Sequence, residues 1–284
     1  MSKFKLALIQ MSVGADKLKN IAHAVEMISQ AVTVGGAQVV VLPECFNSPY
    51  GNQYFREYAE PVPGGPTTDS LADAAKQHKV LLFGGSIPET ENGLLYNTAT
   101  VYDARGTMLA KYRKIHLFDI DVPGKIKFKE SETLSPGSDP LVVESRLAKF
   151  GLGICYDCRF PELARKYTDT GGADVLLYPG AFNMTTGPAH WKLLARSLAL
   201  QNQVYVALCS PARDMDASYH TWGHSLVADP WAEVVAECDE TESIVYANID
   251  LARSTQVRQA VPIRVQRRPE VYEKTALRCV RAEE

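Results

Sequence analysis

The chain has 284 residues, 46% of them hydrophobic, and 30 lysines and arginines against 33 acidic residues give a net charge of −3. That is enough apolar material for one large α/β core, and the even mixing of charge excludes a broad nucleic-acid or membrane footprint. No apolar run approaches the roughly 18 residues of a membrane span, and the six cysteines (45, 155, 158, 209, 238 and 279) follow no disulfide framework.

Phe4 to Gln10 is a short apolar run suited to a buried strand; a strand this early leaves no room for a cleaved leader, so a cytoplasmic protein with free thiols is expected. Residues 17 to 34 place Leu18, Ile21, Val25, Ile28 and Val32 at helical spacing, and Gly35-Gly36 stops them. Gln38 to Leu42 reads as a strand buried on both faces, ending at Pro43-Glu44-Cys45. A loop from Pro61 to Pro66 leads to a helix over 67–78. A strand over 80–87 precedes a hairpin of 94–102 and 108–112, turning at Arg105-Gly106 and delivering Lys114 and His116. Residues 117 to 140, with Glu130, read as one long loop; its apolar insertions mark it as functional rather than disordered.

Residues 149–162, KFGLGICYDCRFPE, spell a strand, a sharp turn at Cys155 and a helix with Leu163, Ala164 and Tyr167 on one face. A thiol near a helix N-terminus is favoured as thiolate, and the same N–H groups can bind an oxyanion. Cys155 is thus a candidate nucleophile. Cys155 and Cys158 also form a C-x-x-C, so a dithiol redox pair stays open. Zinc would need two further ligands, and no second C-x-x-C or H-x3-5-H occurs. Gly151-x-Gly153 lacks the third glycine of a dinucleotide fingerprint. Strands at 174–178 and 204–208 flank a helix over 188–202; a hairpin of 223–229 and 232–237 follows, then a strand at 244–249 and a helix at 250–260. With neither repeat nor linker, the pattern reads as a single α/β domain over 1–284, a mixed sheet stack with helices outside. The basic tail from Pro262 holds Ile263, Val265, Val271, Tyr272 and Leu277, and its prolines favour extended backbone.

Three strand ends now carry polar chemistry: Glu44, Lys114 and Cys155. Ligand sites of α/β sheets gather at the C-terminal strand edge, so the three are expected to converge. A carboxylate can take the thiol proton, and a lysine can lower the thiol pKa and stabilise an oxyanion. His116 keeps a papain-like Cys/His arrangement open. Arg159 is read structurally, as a partner for Glu162 or another acid near the helix start.

In the segments LPE at 42–44, YRKIHL at 112–117 and GICYD at 153–157, the chain resembles the nitrilase superfamily of carbon–nitrogen hydrolases, which carry a Glu-Lys-Cys triad in this order. PECFNSPYG at 43–51, TLSPG at 133–137, YPGAFNMTTGPAHW at 178–191 and NQVYVA at 202–207 are most similar to its omega-amidase branch. The resemblance implies an αββα four-layer sandwich that pairs as a homodimer through the helix after the nucleophile; the apolar residues, prolines and arginines of the tail predict 262–284 as an arm across that seam. It implies Cys155 as nucleophile, Glu44 as general base, Lys114 as oxyanion cation and Glu130 as a second, orienting glutamate. The Tyr156 N–H would complete the oxyanion hole, and Tyr50 and Phe182 would wall the pocket. Cys158 departs from the family pattern. The implied activity, needing no metal or organic cofactor, is hydrolysis of a small-molecule amide: the side-chain amide of 2-oxoglutaramate or 2-oxosuccinamate, through a cysteine thioester. Rival readings are an amidase for deaminated glutathione or for N-carbamoyl amino acids, a thiol-disulfide protein, and a non-catalytic scaffold.

Overall fold

The computed structural model describes residues 3–274. Strand β1 (Lys3–Gln10) is followed by α1 (Lys17–Thr33), whose first turn is capped by the Asp16 carboxylate accepting from the Lys19 N–H at 3.1 Å. Next come β2 (Val39–Val41), α2 (Asn52–Tyr58), α3 (Pro66–His78), β3 (Leu81–Glu91), β4 (Leu94–Tyr102) and β5 (Met108–Arg113). A hairpin, β6 (Asp119–Val122) with β7 (Ile126–Lys129), and a 3-10 turn at Glu130–Glu132 lead to β8 (Leu141–Glu144) and β9 (Lys149–Leu152). After a second 3-10 turn, Cys155–Arg159, come α4 (Pro161–Arg165), β10 (Val175–Pro179), α5 (Gly187–Asn202), β11 (Tyr205–Cys209), β12 (Leu226–Ala228), β13 (Val234–Glu237) and β14 (Ser243–Asp250). The described chain closes with α6 (Leu251–Ala260), α7 (Ile263–Gln266) and α8 (Pro269–Lys274).

Two six-stranded mixed sheets result, ordered β14-β1-β2-β3-β4-β5 and β13-β12-β11-β10-β9-β8. The period-2 alternation of side chains sorts them into layers. Leu6, Leu8, Val39 and Val41 point between the sheets to meet Phe150, Leu152, Val175 and Ala207. Their neighbours Ala7, Ile9 and Val40 face the other way, onto Ala24 and Ile28 of α1 and Leu71 and Ala74 of α3. Helices α4 and α5 cover the second sheet through Ala164, Trp191, Ala195 and Leu198. The order helices–sheet–sheet–helices is the expected αββα sandwich.

Several local expectations are corrected. The segment 117–140 is not one loop: DIDV and IKFK alternate in character and pair as β6 and β7, with Gly124 at φ +72 supplying the turn. The helix α2 and the strand β8 arise where no element is expected from the sequence. The helix after Cys155 is broken, α4 being five residues long and running into a five-residue π-turn at Lys166–Thr170. The tail is helical rather than extended over α7 and α8, because Pro262 and Pro269 stand at helix starts, where a missing N–H costs nothing. Arg267 pairs with Asp169 of the π-turn and donates to the Gln201 carbonyl of α5, while Arg268 pairs with Glu270. Leu277 and the rest of 275–284 lie outside the described residues.

Candidate active site

Glu44 follows β2, Lys114 follows β5, and Glu130 opens the 3-10 turn after β7; all three are buried to within 1% of complete. The Lys114 ammonium lies 3.0 Å from Glu44 Oε1 and 2.9 Å from Glu130 Oε2. Asn97 Nδ2 of β4 and the Ala181 N–H also donate to Glu44, at 2.8 and 2.7 Å. Tyr50 OH and the Phe118 N–H hold Glu130 at 3.1 and 2.7 Å. Two buried carboxylates thus share one cation. Burial raises the pKa of Glu44, and Glu130 adds to the rise against the pull of Lys114. Burial alone would lower Lys114, but Glu130 and Glu44 hold it well above the usual lysine value, so it stays charged. Glu44 therefore holds a proton more tightly than an ordinary carboxylate does, the property a general base needs.

Cys155 stands close enough to Glu44 and Lys114 for its thiol to feel both charges. It leaves β9 with φ +48, a left-handed conformation that strains a non-glycine residue by about 1–3 kcal/mol and turns its side chain sharply out of the strand direction. Gly180 permits that turn, since a Cβ there would lie 3.1 Å from Cys155 Cα. The buried Asp157 carboxylate ties the elbow together. Its Oδ2 accepts from the Ile154 N–H at 2.8 Å and from Tyr112 OH at 2.7 Å; its Oδ1 accepts from the His116 N–H at 2.9 Å and meets His116 Nδ1 at 2.7 Å.

Two readings change here. The expected thiolate is not the resting state: Cys155 begins a 3-10 turn, α4 starts only at Pro161, and burial followed by the Glu44 charge pushes the thiol well above its usual value despite Lys114. His116 is engaged with Asp157 and stacked on Phe160 at 3.6 Å between ring centroids, so its ring serves the elbow rather than a Cys/His dyad. The Cys158 thiol is free, buried and pushed up to about 12, mainly by that burial, which makes it a poor thiolate for disulfide exchange.

Among the described residues nothing accepts from the Tyr156 N–H, in the first turn of the 3-10 segment beside Cys155. Tyr50 joins a ring cluster with Phe128 and Tyr219, and Tyr219 OH donates to the Ala181 carbonyl at 2.8 Å. A cavity of about 240 Å³, lined in part by Tyr50, Tyr54, Asp214, Ser218 and Tyr219, opens on Glu44. Phe182 packs on Trp191 and beneath the Arg159 guanidinium, 4.7 Å from its ring centroid. Arg159 does not pair with Glu162: its Nη1 lies 3.1 Å from His190 Nδ1, and its buried Nε has no partner. Sequence reasoning missed Asn97, Ala181, Asp157, Tyr219 and His190 as parts of the site. Only Asp157 carried a signal, as an acid two residues past the thiol. Among the described residues no group of three or more His, Cys, Asp or Glu side chains is arranged to hold a metal.

The family model for carbon–nitrogen hydrolases matches residues 5–259. The chain is 55% identical over 272 residues to Omega-amidase NIT2 of Homo sapiens, covering 96% of this chain and 98% of that one. It is 56% identical, again over 272 residues, to Omega-amidase NIT2 of Danio rerio, covering 96% and 97%. Among solved structures, Saccharomyces cerevisiae Nit3, a member of branch 10 of the nitrilase superfamily, superposes with a TM-score of 0.85 at 44% identity, covering 92% of this chain and 95% of that one.

Proposed function

The chain belongs to the carbon–nitrogen hydrolase family, and from that premise we propose that it is an omega-amidase working through a cysteine thioester. It hydrolyses the side-chain amide of 2-oxoglutaramate and 2-oxosuccinamate to 2-oxoglutarate or oxaloacetate and ammonia. The observation that carries the reading is the convergence of Glu44, Lys114 and Glu130 beside the strained Cys155.

In the proposed course, Glu44 takes the Cys155 proton as Sγ attacks the amide carbonyl, so a high resting thiol pKa is no obstacle. Lys114 and the Tyr156 N–H stabilise the oxyanion. On collapse the C–N bond breaks, the proton on Glu44 leaves with ammonia, and a thioester remains. Glu44 then deprotonates a water that attacks the thioester, and the departing sulfur recovers the proton. Glu130 keeps Lys114 placed, while Tyr50 and Phe182 wall the pocket. The substrate's own carboxylate falls to Arg159, which has no acidic partner among the described residues.

The test is ammonia release from a panel: both keto-acid amides, deaminated glutathione, an N-carbamoyl amino acid and butyramide. The keto-acid amides are expected to show the highest kcat/KM. Deaminated glutathione or the carbamoyl compound ranking first would move the chain to another amidase of the family.

The proposal includes a cytoplasmic homodimer and the tail, 262–284, as an arm across its seam. Free cysteines support the compartment. Leu193 and Leu200, one face of α5, are 63% and 54% exposed, and the Arg267 anchor on Asp169 and Gln201 lies at the α5 end beside them. Deleting 262–284 is expected to weaken dimerisation and lower the melting temperature; a truncated chain sedimenting as a tight dimer with unchanged melting would remove the arm from the reading.

A further inference from the structure

Arginine has five N–H donors and no acceptor. The 3.1 Å contact between Arg159 Nη1 and His190 Nδ1 therefore fixes the state of the histidine: Nδ1 is the bare acceptor, and the ring is neutral with its proton on Nε2. Burial, and then the Arg159 charge, lower the His190 pKa in the same direction. His190 is held firmly enough to act on its partner. It lies in the first turn of α5, its N–H bonded to the Thr186 carbonyl at 2.9 Å. The next residue, Trp191, is locked by Nε1 donating to the His224 carbonyl at 2.7 Å, which fixes the rotation of the helix. A Cβ on Gly187 would come within 2.4 Å of the Trp222 ring, so the start of α5 is seated closely as well.

Arg159 is thereby held on three sides. Phe182 supports its face at 4.7 Å, the Tyr156 ring stands 5.5 Å away, and His190 takes one Nη. Nε remains buried and without a partner. An arginine with one terminal nitrogen occupied keeps the Nε–Nη2 edge for a planar, bidentate anion.

We infer that His190 is a positioning residue for substrate selection, fixing the Arg159 guanidinium so that its free edge meets the carboxylate of a keto-acid amide. This rests on the omega-amidase reading and adds what makes that enzyme prefer a carboxylate-bearing amide over an uncharged one. A bulky residue that merely filled space at 190 would affect both substrates alike.

The experiment measures kcat and KM for 2-oxoglutaramate and butyramide in the wild type, His190→Ala, His190→Asn and His190→Gln. Losing one charge-assisted hydrogen bond that orients the guanidinium is expected to raise KM for the keto-acid amide about tenfold in His190→Ala, with kcat changed less. The preference for 2-oxoglutaramate over butyramide falls by the same factor. Asn places an oxygen where Nδ1 was and is expected to restore most of the preference; Gln places it further out and is expected to behave like Ala. Equal losses on both substrates in His190→Ala, or Asn no better than Gln, would overturn the role of His190. A wild type with no preference for the keto-acid amide would instead overturn the omega-amidase reading itself. A preference surviving intact in Arg159→Lys would remove Arg159 from carboxylate binding.

Discussion

Glu44→Gln is expected to lower kcat for 2-oxoglutaramate by about 10⁴-fold, because one carboxylate moves the proton in both half-reactions. An amide cannot accept the Cys155 proton, and the thiol, pushed up by burial and by Glu44, does not ionise unaided. Glu44 receives donors on both oxygens, from Lys114 and Asn97 on Oε1 and from the Ala181 N–H on Oε2. An NH2 group in either place confronts a donor with a donor, so some loss of stability accompanies the loss of turnover. Rapid-quench kinetics locate the block: neither a burst of ammonia nor a thioester is expected, since acylation itself needs the base. A burst followed by slow turnover would confine Glu44 to the second half-reaction, and activity within tenfold of wild type would sink its assignment as the base.

Lys114→Met is expected to abolish measurable turnover and to cost about 3–5 kcal/mol of stability, the usual result of removing one member of a fully buried ion cluster. Without the cation, the buried Glu44 and Glu130 lose the one ammonium that both contact. The pKa of Glu44 is already raised, and removing the lysine that opposes the rise lifts it further. A raised folded-state pKa means that the folded protein binds the proton more tightly than the unfolded chain. The resulting contribution is present at low pH and is lost as pH climbs through the raised value. Lys114→Met should therefore melt progressively lower as pH moves upward from the ordinary carboxylate range. A melting temperature equal to wild type at every pH would mean that the two carboxylates do not depend on Lys114.

The frame of this arrangement was legible because it rests on short, strongly patterned segments. Val39 to Val41 is apolar without a break, and a strand buried on both faces must end where Glu44 appears. The turn at Cys155 was marked by glycines on one side and Pro161 on the other. The hairpin of β6 and β7 was visible only as weak alternation on either side of Pro123-Gly124, easily lost in a run of charges. The state of the thiol was not legible: local sequence suggests a helix N-terminus, but burial in a three-dimensional site outweighs it. Arg159 was misread for the same reason. Glu162 is its neighbour in sequence, whereas His190, its partner in space, arrives from 31 residues away.

The parts of the site come from both sheets. Glu44 and Lys114 are carried by strands of the first sheet and Cys155 by a strand of the second, so the proposed base and nucleophile are aligned by the apolar layer between the sheets together with the hydrogen bonds that cross it, from Ala181 to Glu44 and from Tyr112 and His116 to Asp157. Phe4 meets Phe150 edge to face at 5.8 Å in that layer, and Phe83 lies 5.1 Å from the same ring. The layer acts as the alignment stage of an instrument. A small slip of one sheet over the other moves an acceptor away from a thiol while leaving every strand paired as before. Catalytic competence is thus a sensitive gauge of how the two halves are registered, and substitutions deep in this hydrophobic layer can silence the chemistry without altering any residue that performs it.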